Sequence, residues 1–133
     1  MNAVPINAKA VTRFVREVLG CNCPDEVFQR MCFQRGSTAV RSCPVDYELQ
    51  IGGRLLIVVS SAAEELANPA ILEEVIGEGK RARDRAKFNR FRLIVPAGKE
   101  ESDALLRSFL EIKNRDEKTH LHVVEPALVP QFV

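Results

Sequence analysis

Residues 45–59, VDYELQIGGRLLIVV, decide how this chain folds. Tyr47, Leu49 and Ile51 alternate with Asp46, Glu48 and Gln50, the period-2 pattern of a half-exposed strand. Gly52-Gly53 suits a two-residue hairpin turn, because glycine reaches the required positive φ without a Cβ clash. Leu55 to Val59 then run apolar without a break, as in a strand covered on both faces. The expectation is a hairpin over 46–59, its alternating strand at one sheet edge and its continuous strand central.

Downstream, Asn68 caps a long helix that has Pro69 at its first position. Ile71, Leu72, Val75, Gly79, Ala82 and Ala86 fall within about a 100° arc of that helix. The small residues at its far end predict a close approach to a sheet. Phe91–Val95 reads as a third strand, Leu105, Leu106, Phe109 and Leu110 as one side of another helix, and HLHVV (120–124) as the last strand. Upstream, Asn7 caps a helix with the stripe Val11, Phe14, Val15, Val18 and Leu19, closed by Gly20. A second, shorter helix is expected from Pro24, with Asp25 and Glu26 in its first turn and Val27, Phe28 and Met31 buried. RGSTAVRSCP (35–44) reads as a loop.

The element order is therefore ααββαβαβ. Helix-separated strands imply parallel pairs with right-handed crossovers, which place both later helices on one face. The other face is left for the N-terminal pair. The expected fold is a three-layer α/β/α sandwich on a four-stranded mixed sheet in order 1-2-3-4. One α/β domain spans 1–133, with a helical pair at 1–34, the sheet and crossovers at 45–125, and an apolar tail at 126–133.

A chain of 133 residues buries roughly 68% of its unfolded surface, enough for a core without staples. Hydrophobic and charged contents of 46% and 28% fit an ordered globular protein. Nineteen basic and 18 acidic residues leave a net charge of +1, so no overall field favours nucleic acid or an anionic membrane. The start, MNAVPINAKAVTRF, lacks the apolar block of a signal peptide, and no run nears the ~18 residues of a membrane span. A cytoplasmic location follows as the expectation, and there four cysteines read as free thiols or metal ligands first.

The chemistry-bearing stretch is LGCNCPDEVF (19–28). Cys23 precedes Pro24 and so neighbours a helix N-terminus, where unpaired N–H groups and the dipole stabilise a thiolate. Cys21, two residues away, is its resolving or co-ligating partner, and Arg13 and Arg16 add positive charge if the turn folds back on them. Thiol-dependent redox chemistry or metal handling at Cys21 and Cys23 is one expectation. The plainer alternative is a tight turn that packs two small side chains. No organic cofactor is required, and a metal ion is the one cofactor the pattern leaves open. VREVLGCNCPDEVF (15–28) resembles the N-terminal motif of a group of small bacterial proteins with no assigned activity. That resemblance implies a bacterial cytoplasmic source and no mechanism. The thioredoxin family also sets cysteines ahead of a proline at a helix start, but as C-x-x-C directly after a strand, so its activity is not carried over.

Other candidates are weaker. Cys21, Cys23, Cys32 and Cys43 form C-x-C-x8-C-x10-C, without the regular pairs of zinc sites, and Cys32 is expected on the buried side of the short helix. His120 and His122 share one strand face but lack a third ligand, and the half-exposed face of an edge strand explains them. KRARDRAKFNRFR (80–92) is basic with interleaved phenylalanines. Glu73, Glu74 and Glu78 open the same helix, so the macrodipole accounts for the charge order and a nucleic-acid partner is not needed. AGKEES (97–102) lacks the glycine and hydroxyl positions of a P-loop.

The alternative to thiol chemistry is a non-catalytic interaction or small-ligand module. It would use Ser60, Ser61, Gly98 and Lys99 at the C-terminal rim of the parallel strands. The tail residues Leu128, Val129, Phe132 and Val133 are expected either to pack back on the domain or to complete a homodimer.

Overall fold

β2 (Tyr47–Ile51) and β3 (Leu55–Val59) form an antiparallel hairpin in the computed structural model, which describes residues 7–113 and 115–132. Gly52 and Gly53 adopt φ of 63° and 64°, and the Arg54 N–H donates to the Ile51 carbonyl at 3.1 Å. Ile51 pairs with Leu55, so the connection is 52–54, one residue longer than the glycine pair implies. Every residue of β3 is buried, as its unbroken apolar run requires. β4 (Arg90–Pro96) pairs with β3 in parallel, and β5 (Thr119–Val124) pairs with β4 in parallel. The crossovers are α2 (Ala63–Leu66) with α3 (Pro69–Arg85), and then α4 (Lys99–Leu110).

The sheet has five strands rather than four. β1 (Met31–Arg35) pairs antiparallel with β2, Met31 opposite Ile51, so β2 is interior and β1 takes the edge. The expected second helix shrinks to a 3-10 helix at Asp25–Gln29, preceded by Pro24 in an extended conformation. Two forces decide this. An edge β2 would leave a row of unpaired backbone groups, which β1 satisfies. Met31 and Phe33 also alternate onto the apolar face, where Phe33 stacks 5.3 Å from Tyr47. Cys32 is consequently exposed on an edge strand instead of buried on a helix.

On one face, α3 and α4 cover Leu56, Val58, Phe91, Leu93 and Val95. The approach is close: a Cβ on Gly79 would lie 2.2 Å from the Phe91 ring. The loop between β1 and β2 packs on this face too, with Val40 and Cys43 in the core. Glu74 and Glu78 of α3 accept hydrogen bonds from Ser42 and from the Arg41 and Ser42 N–H groups, so these acids anchor the loop. Glu48 on β2 is buried, accepting from Ser37 Oγ at 2.6 Å and Gln50 Nε2 at 3.2 Å.

The opposite face is covered by α1 (Ala8–Arg13), a π-helical turn at Phe14–Val18, the 3-10 helix and the C-terminal tail. This cover is thinner than the helical pair of the expected three-layer sandwich, because the 3-10 helix and tail are short and irregular. The tail packs back on its own domain. The Phe132 ring is 2% exposed, within 5.5–6.4 Å of Tyr47, Phe14 and Phe33, and its carbonyl accepts from the Asn7 N–H at 2.8 Å. Val129 joins the same cluster and Leu128 stays exposed, while Val133 lies outside the described residues. Among the described residues, no helix is long and apolar enough to cross a membrane.

The basic run at 80–92 contains a structural member. Arg83, 4% exposed, grips both Asp116 oxygens at 2.9 and 2.7 Å and also bonds Asp84 and Thr119. It thereby ties the end of α3 to the approach to β5. The Arg83 guanidinium holds the Asp116 carboxyl well below the usual carboxylate range. A depressed folded-state pKa stabilises the protein above the unfolded value, about 3.9 for aspartate, and that contribution fades as pH falls further. Asp116→Asn should therefore cost about 3 kcal/mol at neutral pH and reduce the loss of stability in acid. Urea unfolding at pH 7 and pH 3 checks this; equal midpoints for both proteins at pH 7 would contradict it.

Candidate functional site

The cysteine turn is shaped by what precedes it. α1 widens into the π turn, where the Leu19 N–H bonds the Phe14 carbonyl five residues back at 3.1 Å. Such bulges recur at functional sites. Gly20, at φ 72°, ends the helix in the left-handed conformation, and the Cys21 N–H returns to the Val15 carbonyl at 3.1 Å. Cys21 and Cys23 are joined by a disulfide across the single residue Asn22, with Cα atoms 5.5 Å apart. Both are half-buried.

Arg16 clamps the far side of the turn. It donates to the Cys23 carbonyl at 3.1 Å, pairs with the Asp25 carboxylate and lies 5.1 Å over the Phe28 ring. Its charge is therefore spent on Asp25, and Arg13 points to solvent on α1. The helix expected to favour a Cys23 thiolate is only five residues of 3-10 helix, starting after Pro24. Its dipole is small, so any stabilising positive charge must come from elsewhere.

That charge comes from the sheet. Arg90 and Arg92 alternate on the face of β4 beneath the turn, beside His120 and His122 on β5. Arg92 is 8% exposed. Its Nη1 donates to the Leu19 carbonyl at 3.2 Å and to His122 Nε2 at 2.7 Å, while its Nε is buried without a partner. Arg90 Nη1 donates to His120 Nε2 and to the Glu117 carbonyl, each at 3.2 Å. Arginine only donates, so both imidazoles are neutral and carry their proton on Nδ1. Burial and the facing Arg92 cation push His122 down to about 4, and burial with Arg92 and Arg90 lowers His120. The two histidines thus serve as acceptors for arginines, with Nε2 unavailable to a metal.

Between the turn and this wall lies a cleft of about 470 Å³. Cys21, Asn22 and Cys23 form one side, and Arg54, Arg90, Arg92 and His120 the other; no carboxylate lines it. Arg54 is held in place because its carbonyl accepts from the Asn89 and Arg90 N–H groups at 2.7 and 3.0 Å. Its side chain is exposed and makes no ion pair among the described residues.

The cleft opens at the N-terminal ends of β3, β4 and β5. The alternative rim residues sit at the opposite ends. Ser60 is buried, its hydroxyl donating to the Pro44 carbonyl at 2.6 Å and accepting from the Ala62 N–H at 3.2 Å. The Ser61 N–H bonds Asp46 at 2.9 Å, Gly98 precedes α4 as its cap, and Lys99 is its exposed first residue. The four cysteines do not converge. Cys43 is buried on the α3/α4 side of the sheet, 3.8 Å from Ser60 Oγ, and burial pushes its thiol up. Cys32 is on β1, facing away from Met31 and Phe33. Among the described residues, no group of three or more His, Cys, Asp or Glu is placed to hold a metal ion.

Sequence reasoning passed over Arg54 and took Arg90 and Arg92 only as part of the basic run at 80–92, not as members of the cysteine site. The available signal was a pair of polar residues at i and i+2 opening each of two otherwise apolar strands, RFR at 90–92 and HLH at 120–122. No protein-family model, curated protein or solved structure matches the chain.

Neutral His122 ties stability to pH. Its folded pKa lies below the unfolded value of about 6.5, so stability is full above that pH and falls as pH drops toward about 4. His122→Gln keeps an acceptor that does not titrate and should flatten this limb by roughly 2 kcal/mol. Urea unfolding from pH 7.5 to 4.5 reads the difference; parallel curves for the two proteins would contradict the assignment.

Proposed function

We propose that this protein exchanges the Cys21–Cys23 disulfide with thiols and disulfides of other molecules. The observation that carries this is a disulfide enclosing one residue at the mouth of a cleft, half-buried against the margin of the core. By the chain-entropy relation, a three-residue loop is worth only about 1.6 kcal/mol as a cross-link. A bond with so little to stabilise, half-buried beside a cavity, is better suited to chemistry. Arg54, Arg90 and Arg92 line the same cleft, and neighbouring cations favour the thiolates that form on reduction.

Exchange proceeds in two steps. A thiolate attacks one cysteine sulfur, the Cys21–Cys23 bond breaks, and the other cysteine leaves as a thiolate. A second thiolate then attacks the mixed disulfide, releasing the partner as its own disulfide and leaving the dithiol. Two partner thiols are oxidised and one protein disulfide is reduced; the reverse reduces a partner disulfide. Cys23 loses its special claim as nucleophile along with the helix dipole, so the pair acts as a unit. Metal handling fits less well, since the reduced pair would offer two sulfurs to a cation in a wall of arginines. The Ser60 rim fits less well too, its buried hydroxyl already being bonded on both sides.

The test uses Cys32→Ser protein, to remove the exposed third thiol. It is equilibrated with graded mixtures of reduced and oxidised dithiothreitol, and free thiols are trapped with a mass tag. Cys21 and Cys23 should convert together in one reversible two-electron transition. Alkylation of the reduced form should report a thiolate titrating below the free-cysteine value of about 8.5. An irreversible transition, or alkylation that follows free cysteine, would contradict the proposal.

A further inference from the structure

We propose that the cleft is a binding site for a small organic anion, and that the exchange partner is a low-molecular-mass thiol bearing a carboxylate. The second half rests on the exchange role above; the anion site does not. The chain pairs its other buried arginine, Arg83, with Asp84 and Asp116. Arg92 is as enclosed as a charged side chain usually gets, at 8% exposure, yet among the described residues it has no acid. An unpaired buried cation costs several kcal/mol, and the neutral acceptors at Leu19 and His122 both fall on Nη1.

The remaining edge of the guanidinium, Nε with Nη2, makes no hydrogen bond. Nε itself is closed off from solvent, so an anion in the cleft meets Arg92 as an uncompensated charge in its wall. Arg90 bonds only to neutral acceptors, and the Arg54 side chain to none among the described residues. The three cations therefore face one acid-free space of about 470 Å³, within the range of small-ligand sites. The disulfide forms the opposite wall. A short thiol can thus set its carboxylate on the arginines while its sulfur meets Cys21 or Cys23. No Phe, Tyr or Trp side chain lines the cleft to stack a nucleobase.

Two measurements separate the parts. First, 3-(methylthio)propionate, which cannot exchange, is titrated calorimetrically into the oxidised protein. One-to-one binding is expected, weakening with salt, about tenfold weaker in Arg54→Gln/Arg90→Gln, and absent for 3-(methylthio)propanamide. Both replaced side chains lie at the surface or its margin, so the variant should keep its fold, verified by an unchanged urea midpoint. Equal binding of acid and amide, or none of either, overturns the anion site. Second, reduction rates with 3-mercaptopropionate, 2-mercaptoethanol and cysteamine are each divided by the rate with the oxidised peptide GCNCPD at equal thiolate concentration. The anionic thiol should be favoured over the neutral one by about tenfold at low ionic strength, the cationic thiol disfavoured, and the spread should collapse in salt. Equal normalised rates overturn the carboxylated partner while leaving exchange intact. No reduction by any of the three overturns the partner and the exchange role together, and the calorimetry then still judges the anion site.

Discussion

The guanidinium of Arg92 sits where three parts of the molecule meet. It belongs to β4, reaches the carbonyl of Leu19 at the end of the N-terminal helix, and leans on His122 of β5. The negative end of a helix is a favourable place for a cation, which offsets part of the cost of enclosing it. Much follows from that placement. The cysteine turn begins two residues after Leu19, so it is pinned over the start of β4. His122 must stay neutral to accept, and His120 is held neutral beside it. The floor of the cleft is positive because the charge is buried there without an acid.

The asymmetry of the two sheet faces makes room for this arrangement. α3 and α4 close one face with apolar packing tight enough to require Gly79 over Phe91. On the other face the cover is an α-helix of one and a half turns, a π turn, a 3-10 helix and a tail, anchored by Phe132 among three other rings. Apolar residues fill this layer over β2 and β3, but over the first residues of β4 and β5 the sheet itself turns polar, with Arg90, Arg92, His120 and His122. Ligand sites in open α/β sheets usually form at the C-terminal ends of parallel strands. Here the helix termination at Gly20 and the hairpin end at Arg54 frame the opposite end, while the C-terminal end is closed around Ser60.

Local patterns carried the hairpin, β3, β4, β5, both long helices and the close approach at Gly79, because each is written within a window of ten or so residues. β1 escaped for the converse reason. Met31 and Phe33 give only two alternating apolar positions, following a proline and two acids that suit a helix start, and what decides the matter is pairing with β2, from Met31 opposite Ile51 to Arg35 opposite Tyr47, which no local window contains. The cysteine pair was legible as a candidate, since C-x-C-P is local. Its arginines were not, because Leu19 and Arg92 are brought together across 73 residues by tertiary structure alone. Arg83 shows the same limit: within a run of basic residues nothing local distinguishes the one that is buried from those in water.

Arg92 is a charged, enclosed side chain that lines the cleft without an acid of its own among the described residues, and a ligand anion would supply the missing charge. Side-chain nitrogen NMR of the oxidised protein addresses this directly, by following each arginine Nε–H signal during addition of 3-(methylthio)propionate. The Arg92 signal should exchange slowly with water beforehand and shift on titration, with the Arg83 and Arg16 signals unmoved. An Arg92 signal that exchanges as fast as an exposed arginine, or that ignores the carboxylate, would contradict the claim.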